Sequence, residues 1–126
     1  MNRNRVVQFV TTLLLLLLPT ASRAAEEQAV LVYLSLSAPP SASKAELTGL
    51  FKLEEQVALA IERARAGEHD GNEIGGGEFT IYCYGPNGDR LFAAIEPVLR
   101  ASALAKGARV VIRYGKPGAR QVERLL

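Results

Sequence analysis

Three short runs of the chain alternate side-chain character with period two, and the spacing between them leaves room for one helix per gap. The runs are residues 29–37 (AVLVYLSLS), 79–84 (FTIYCY) and 108–114 (ARVVIRY). Period-two alternation in β-branched and aromatic residues predicts half-buried strands. In the first run Val30, Val32, Leu34 and Leu36 point one way, and Leu31, Tyr33, Ser35 and Ser37 the other. In the second, Phe79, Ile81 and Cys83 oppose Thr80, Tyr82 and Tyr84. In the third, Val110, Ile112 and Tyr114 alternate with Val111 and Arg113. Pro39 and Pro40 close the first strand, because proline lacks the amide that a ladder needs.

The gaps read as helices. Ser43 with Glu46 fits a capping box. Gly49 weakens the first turns, so the helix is expected to begin properly nearer Leu50. Leu50, Leu53, Val57, Ile61 and Ala64 form one apolar stripe; Glu54, Glu55, Glu62, Arg63 and Arg65 read as its solvated remainder. Gly67 suits the position just past the helix end. A second helix is expected over 89–103, with Leu91, Ile95 and Val98 on its stripe and a kink at Pro97. Residues 68–78 (EHDGNEIGGGE) are polar and glycine-rich, and read as a turn or bulged hairpin after a short strand. Gly115–Gly118 reads as a turn, and residues 119–126 as a short edge strand.

The resulting order, β-α-β-β-α-β with an added terminal β, predicts an α+β fold. It is the ferredoxin-like two-layer sandwich, an antiparallel sheet with two helices on one face. Tyr84-Gly85, Gly88 and Arg90 recur as Tyr114-Gly115, Gly118 and Arg120 at an offset of 30, through shared turn chemistry or the pseudo-twofold symmetry of that fold.

Residues 1–24 stand apart from the expected domain, 25–126. Arg3 and Arg5 precede an apolar run from Val6 to Leu18 that ends in six leucines, and Ser22-Arg23-Ala24 offers a cleavage site. This layout predicts a secretory signal peptide removed after Ala24. The run of about 13 residues falls short of the roughly 20 that a spanning helix takes. A periplasmic or secreted protein with no stable membrane anchor after cleavage is therefore expected. Without that segment the charge falls from +2 to −1, so the basic composition says nothing of nucleic acid, and no nucleic-acid partner is expected. The remaining charge is uneven. Residues 25–96 hold 12 acidic side chains against five basic ones, and residues 97–126 hold seven basic ones against Glu123. The two parts are expected to face each other and neutralise. One cysteine and one histidine exclude an internal disulfide and a zinc site of the Cys/His type.

Residues 70–99 carry a pattern in four pieces: Asp70–Glu78 (DGNEIGGGE), Tyr82–Pro86 (YCYGP), Asp89–Phe92 (DRLF) and Glu96–Leu99 (EPVL). With the first strand and helix, this pattern resembles a group of small uncharacterised bacterial proteins over most of residues 30–118. The resemblance implies a compact α/β domain and brings no activity or catalytic residue with it.

Two surfaces invite chemistry. If the helices cover the face of Val30, Val32 and Ile81, the other face carries Tyr33, Tyr82, Tyr84 and Arg113. Tyrosine and arginine are common binding anchors because they join a large contact area to a polar tip. This predicts a binding module for a protein, a small ligand or its own copy, with no catalytic residue and no cofactor. The alternative is a small hydrolase or metal-dependent enzyme that uses His69 with Asp70 and Glu73, although their spacing matches no calcium loop. Gly75–Gly77 lacks the lysine and spacing of a phosphate loop, and Cys83 reads as a buried inert thiol.

Overall fold

The strand with the cleanest alternation, β1 (Gln28–Ser35), lies at the centre of a five-stranded sheet. The computed structural model describes residues 27–126, so the expected export segment lies outside the described residues. After β1 come helix α1 (Lys44–Ala64), strands β2 (Glu68–Gly75) and β3 (Glu78–Gly85) and helix α2 (Gly88–Arg100). A short 3-10 turn (Ala103–Ala105), β4 (Arg109–Arg113) and β5 (Gln121–Leu125) complete the order. The sheet runs β2-β3-β1-β4-β5, and every neighbouring pair is antiparallel. This is the expected α+β, ferredoxin-like sandwich with an extra edge strand.

Both helices cover the same face. Val30, Val32 and Leu34 of β1, Phe79, Ile81 and Cys83 of β3, and Val110 and Ile112 of β4 join Leu50, Leu53, Val57 and Ile61 of α1 and Leu91, Ile95 and Leu99 of α2 in one buried cluster. These residues are the strand positions of one parity and the helix positions of one stripe, so alternation alone selects the covered face.

Several boundaries differ from the sequence reading. Helix α1 starts at Lys44 rather than near Leu50, with the Ser43 hydroxyl accepting from the Glu46 amide at 3.1 Å. Glu46 does not close the capping box, because its carboxylate accepts from the Ser37 amide at 3.1 and 3.2 Å. Gly49 sits inside the helix where a Cβ would lie 3.0 Å from Leu104 Cδ1, so close packing outweighs helix propensity there. The left-handed residue that ends α1 is Arg65 (φ 49°), not Gly67. Gly67 instead lets two backbones touch, since a Cβ there would lie 2.0 Å from the Tyr84 carbonyl oxygen.

Helix α2 begins one residue early, capped by Asn87, and ends at Arg100 with Pro97 in its last turn. The Ser102 hydroxyl accepts from the Leu104 amide at 3.2 Å and starts the 3-10 turn, whose first residue, Ala103, is the expected end of the helix. The recurrence at an offset of 30 does not reflect fold symmetry. Tyr84 is register partner to Ala29 on the uncovered face, whereas Tyr114 turns to the helices and donates to Asp89 Oδ1 at 2.6 Å.

Candidate binding face and the histidine cluster

Cross-strand partners share a face of the sheet, so the register lays out the uncovered side row by row. One row reads Glu73, Thr80, Tyr33, Arg109, Leu125 from β2 to β5. The next holds Tyr82, Leu31, Val111 and Glu123 from β3 to β5. A third reads Glu68, Tyr84, Ala29, Arg113, Gln121. All four residues expected on this side, Tyr33, Tyr82, Tyr84 and Arg113, therefore occupy it, and each is half-buried.

Local contacts hold these side chains in place. The guanidinium of Arg109 sits 4.0 Å over the Tyr33 ring and donates to Glu123 at 3.0 Å. Stacking of this kind orients a ring while leaving its second face open. Tyr82 donates its hydroxyl to Glu73 Oε2 at 2.6 Å. That bond favours the neutral phenol and pushes its pKa up to about 12, with desolvation and the nearby Glu73 charge adding to the effect. Arg113 donates through Nε to the Gly115 carbonyl at 2.9 Å, which fixes the side chain against its own turn.

Arg109 is the site residue that the sequence reading missed. It precedes Arg113 by four residues and so shares its parity; the signal was present in ARVVIRY. Glu73 also belongs to this face, not to a metal site.

The other candidate cluster is corrected by the structure. His69 and Glu73 lie on opposite faces of β2. His69 donates through Nε2 to Glu54 Oε2 at 2.7 Å, and Asn72 donates to Glu54 Oε1 and Oε2 at 2.9 and 3.1 Å. Glu54, expected on the solvated side of α1, is 7% exposed and accepts all three bonds. Asp70 is exposed and joins neither arrangement. Among the described residues no three His, Cys, Asp or Glu side chains stand close enough to hold a metal ion.

A bulge causes this division. His69 pairs with Cys83 and Asn72 with Ile81, so two residues on β2 oppose one on β3. The extra residue is accommodated at Gly71, whose φ is 86°. It brings both His69 and Asn72 to the helix side and turns Glu73 towards Tyr82.

Cys83 lies beside His69 in the ladder, yet it is no nucleophile. Its side chain is wholly buried, and burial pushes the thiol up to about 12, so it stays protonated at neutral pH. Of the neutralisation expected between residues 25–96 and 97–126, one ion pair across that division is present, Glu96–Arg100 within α2. Among the described residues no ion pair joins the acidic strands β2 and β3 to the basic strands β4 and β5; the three ion pairs are Glu54–His69, Glu96–Arg100 and Arg109–Glu123. The imbalance runs across the sheet instead of cancelling within it.

No family model, curated protein or solved structure matches the chain, so its function is argued from its own residues.

Proposed function

We propose that this is an exported binding module that works through the sheet face its helices leave uncovered. The observation that carries the reading is the alignment of Tyr33, Tyr82 and Tyr84 with Arg109 and Arg113 on one half-buried face. Such side chains contribute stacking and hydrogen bonds at little entropic cost, since neighbours already hold Tyr33, Tyr82 and Arg113 in place. The N-terminal segment supports export, and the module would then act in the periplasm or outside the cell. The enzymatic alternative finds no support in the geometry, because His69 is committed to Glu54 and the one thiol is buried.

The test is site-specific photo-crosslinking in cells that make the protein. A benzophenone side chain at position 82 should yield an adduct that the same probe at Leu59, exposed on α1, does not. The paired Tyr82→Ser and Tyr84→Ser substitution should keep the native circular dichroism and abolish an adduct formed from a probe at position 33. Equal adducts from the sheet face and from Leu59 would count against the reading.

A further inference from the structure

We propose that Asp70-Gly71 is a site of isoaspartate formation, and that the fold withholds the same chemistry from Asn87-Gly88.

These are the two positions in the chain where Asp or Asn precedes glycine. The reaction is intramolecular, with both reacting groups held one peptide unit apart. The amide nitrogen of the glycine attacks the side-chain Cγ and closes a five-membered succinimide. Aspartate loses water in that step, and asparagine loses ammonia. Water then opens the ring. Where it adds to the main-chain carbonyl carbon, the nitrogen stays on Cγ and the product is isoaspartate. No oxidant or cofactor is consumed. Glycine favours closure because it has no Cβ and its backbone turns freely. The ring cannot close while the attacking amide is bonded or packed away from Cγ, so local opening of the fold decides which pair reacts.

At Asp70-Gly71 the obstacles are few. β2 is an edge strand, and both residues lie in its bulge, where they oppose the single residue Tyr82 outside the regular ladder. Asp70 is exposed, and none of the ion pairs among the described residues includes it. Gly71 has φ 86°, and a Cβ built on it would meet nothing within 4 Å, so there is room beside the attacking nitrogen for the ring. An edge strand with a broken ladder is among the first parts of a fold to open.

Asn87-Gly88 is locked by three contacts. The Gly88 amide, whose nitrogen would attack, donates to Gln28 Oε1 at 2.7 Å. The Asn87 side chain caps α2, its Oδ1 accepting from the Arg90 amide at 3.0 Å. Gly88 is buried against β4, where a Cβ would lie 2.7 Å from Ile112 Cγ2. Ring closure there would require the first turn of α2 to leave the sheet. In an unfolded chain the preference runs the other way. An ionised aspartate must take up a proton before its oxygen leaves as water, and asparagine has no such requirement.

The test is ageing of the purified protein for weeks in warm neutral buffer, beside the same protein in urea. Peptide mapping with electron-transfer fragmentation tells isoaspartate from aspartate at position 70, and the net gain in mass reports deamidation at position 87. In the folded protein isoaspartate should build up at 70 while 87 stays intact. In urea 87 should react first. Asp70→Glu needs a slower six-membered ring and should abolish the signal at 70. Gln28→Ala frees the Gly88 amide and should speed deamidation of the folded protein at 87 about tenfold. Isoaspartate lengthens the main chain by one carbon between His69 and Asn72, so hydrogen exchange of the aged protein should quicken in β2 and stay slow in β1.

An unchanged position 70 in the folded protein, over a time in which the urea sample reacts at both positions, would overturn the proposal. Equal modification of 70 and 87 in the folded protein would overturn the protection assigned to Asn87.

Discussion

The hydroxyl of Tyr82 donates to Glu73 across the β2–β3 ladder at 2.6 Å, and Glu73 reaches it because Gly71, two residues earlier, absorbs the bulge. The bond makes Tyr82 the tyrosine whose ionisation reports the state of this face. Its pKa is raised to about 12 from 10.0. A raised phenol pKa stabilises the fold below the unfolded value and loses that contribution as pH climbs through the folded one. Absorbance titration near 295 nm should show a late phenol ionisation close to pH 12 that is diminished in Tyr82→Phe, Tyr114 keeping a raised ionisation of its own through its bond to Asp89. Glu73→Gln should bring it back towards 10 and narrow the alkaline range over which the protein stays folded.

Gly71 and Gly67 should respond differently to alanine. A Cβ at Gly71 would meet nothing within 4 Å, so Gly71→Ala has only the left-handed backbone to oppose it, about 1–2 kcal/mol. At Gly67 the added carbon would run into the Tyr84 carbonyl at 2.0 Å, and the loss should reach about 3 kcal/mol. Urea unfolding midpoints of the two variants should rank in that order.

Glu54→Leu should cost more stability than the removal of a surface carboxylate. It leaves His69 and Asn72 without their acceptor beneath β2, at about 1–3 kcal/mol. Glu54→Gln keeps an acceptor oxygen and should cost less. Hydrogen exchange of the β2 amides should accelerate in the leucine variant while β1 stays protected.

Cys83 should ignore thiol reagents in the native protein and react fully in denaturant. Burial holds its pKa near 12, so both thiolate and access are lacking at neutral pH. Native labelling at the rate of a free thiol would contradict the packing of β3 against α1.

The export proposed above, with processing after Ala24, predicts a protein that begins at Ala25. Intact mass spectrometry of the protein from the periplasm checks this, and the full-length mass there would refute it.

Parity made β1, β3 and β4 readable, because each has one buried and one uncovered side. β2 resisted the same treatment. Its residues, EHDGNEIG, show no apolar alternation, since an edge strand largely exposed on both sides has little to bury. The bulge within it also shifts the phase, and a regular period-two count from Glu68 would send Glu73 to the helices. Glu54 was illegible for a related reason. On α1 it looks like any exposed glutamate until the two β2 donors that satisfy it are placed above it.

The outer strand of the β2–β3 hairpin thus carries a single surplus residue. Deleting one codon at Gly71 would leave Asp70 alone opposite Tyr82, with His69 still across from Cys83 and Asn72 from Ile81, so Glu73 would stay on the uncovered side and only the bend of the strand would go. Both helices and the other strands would be untouched. Length variation at this one position is therefore a change in the curvature of the hairpin and not in which way its side chains face.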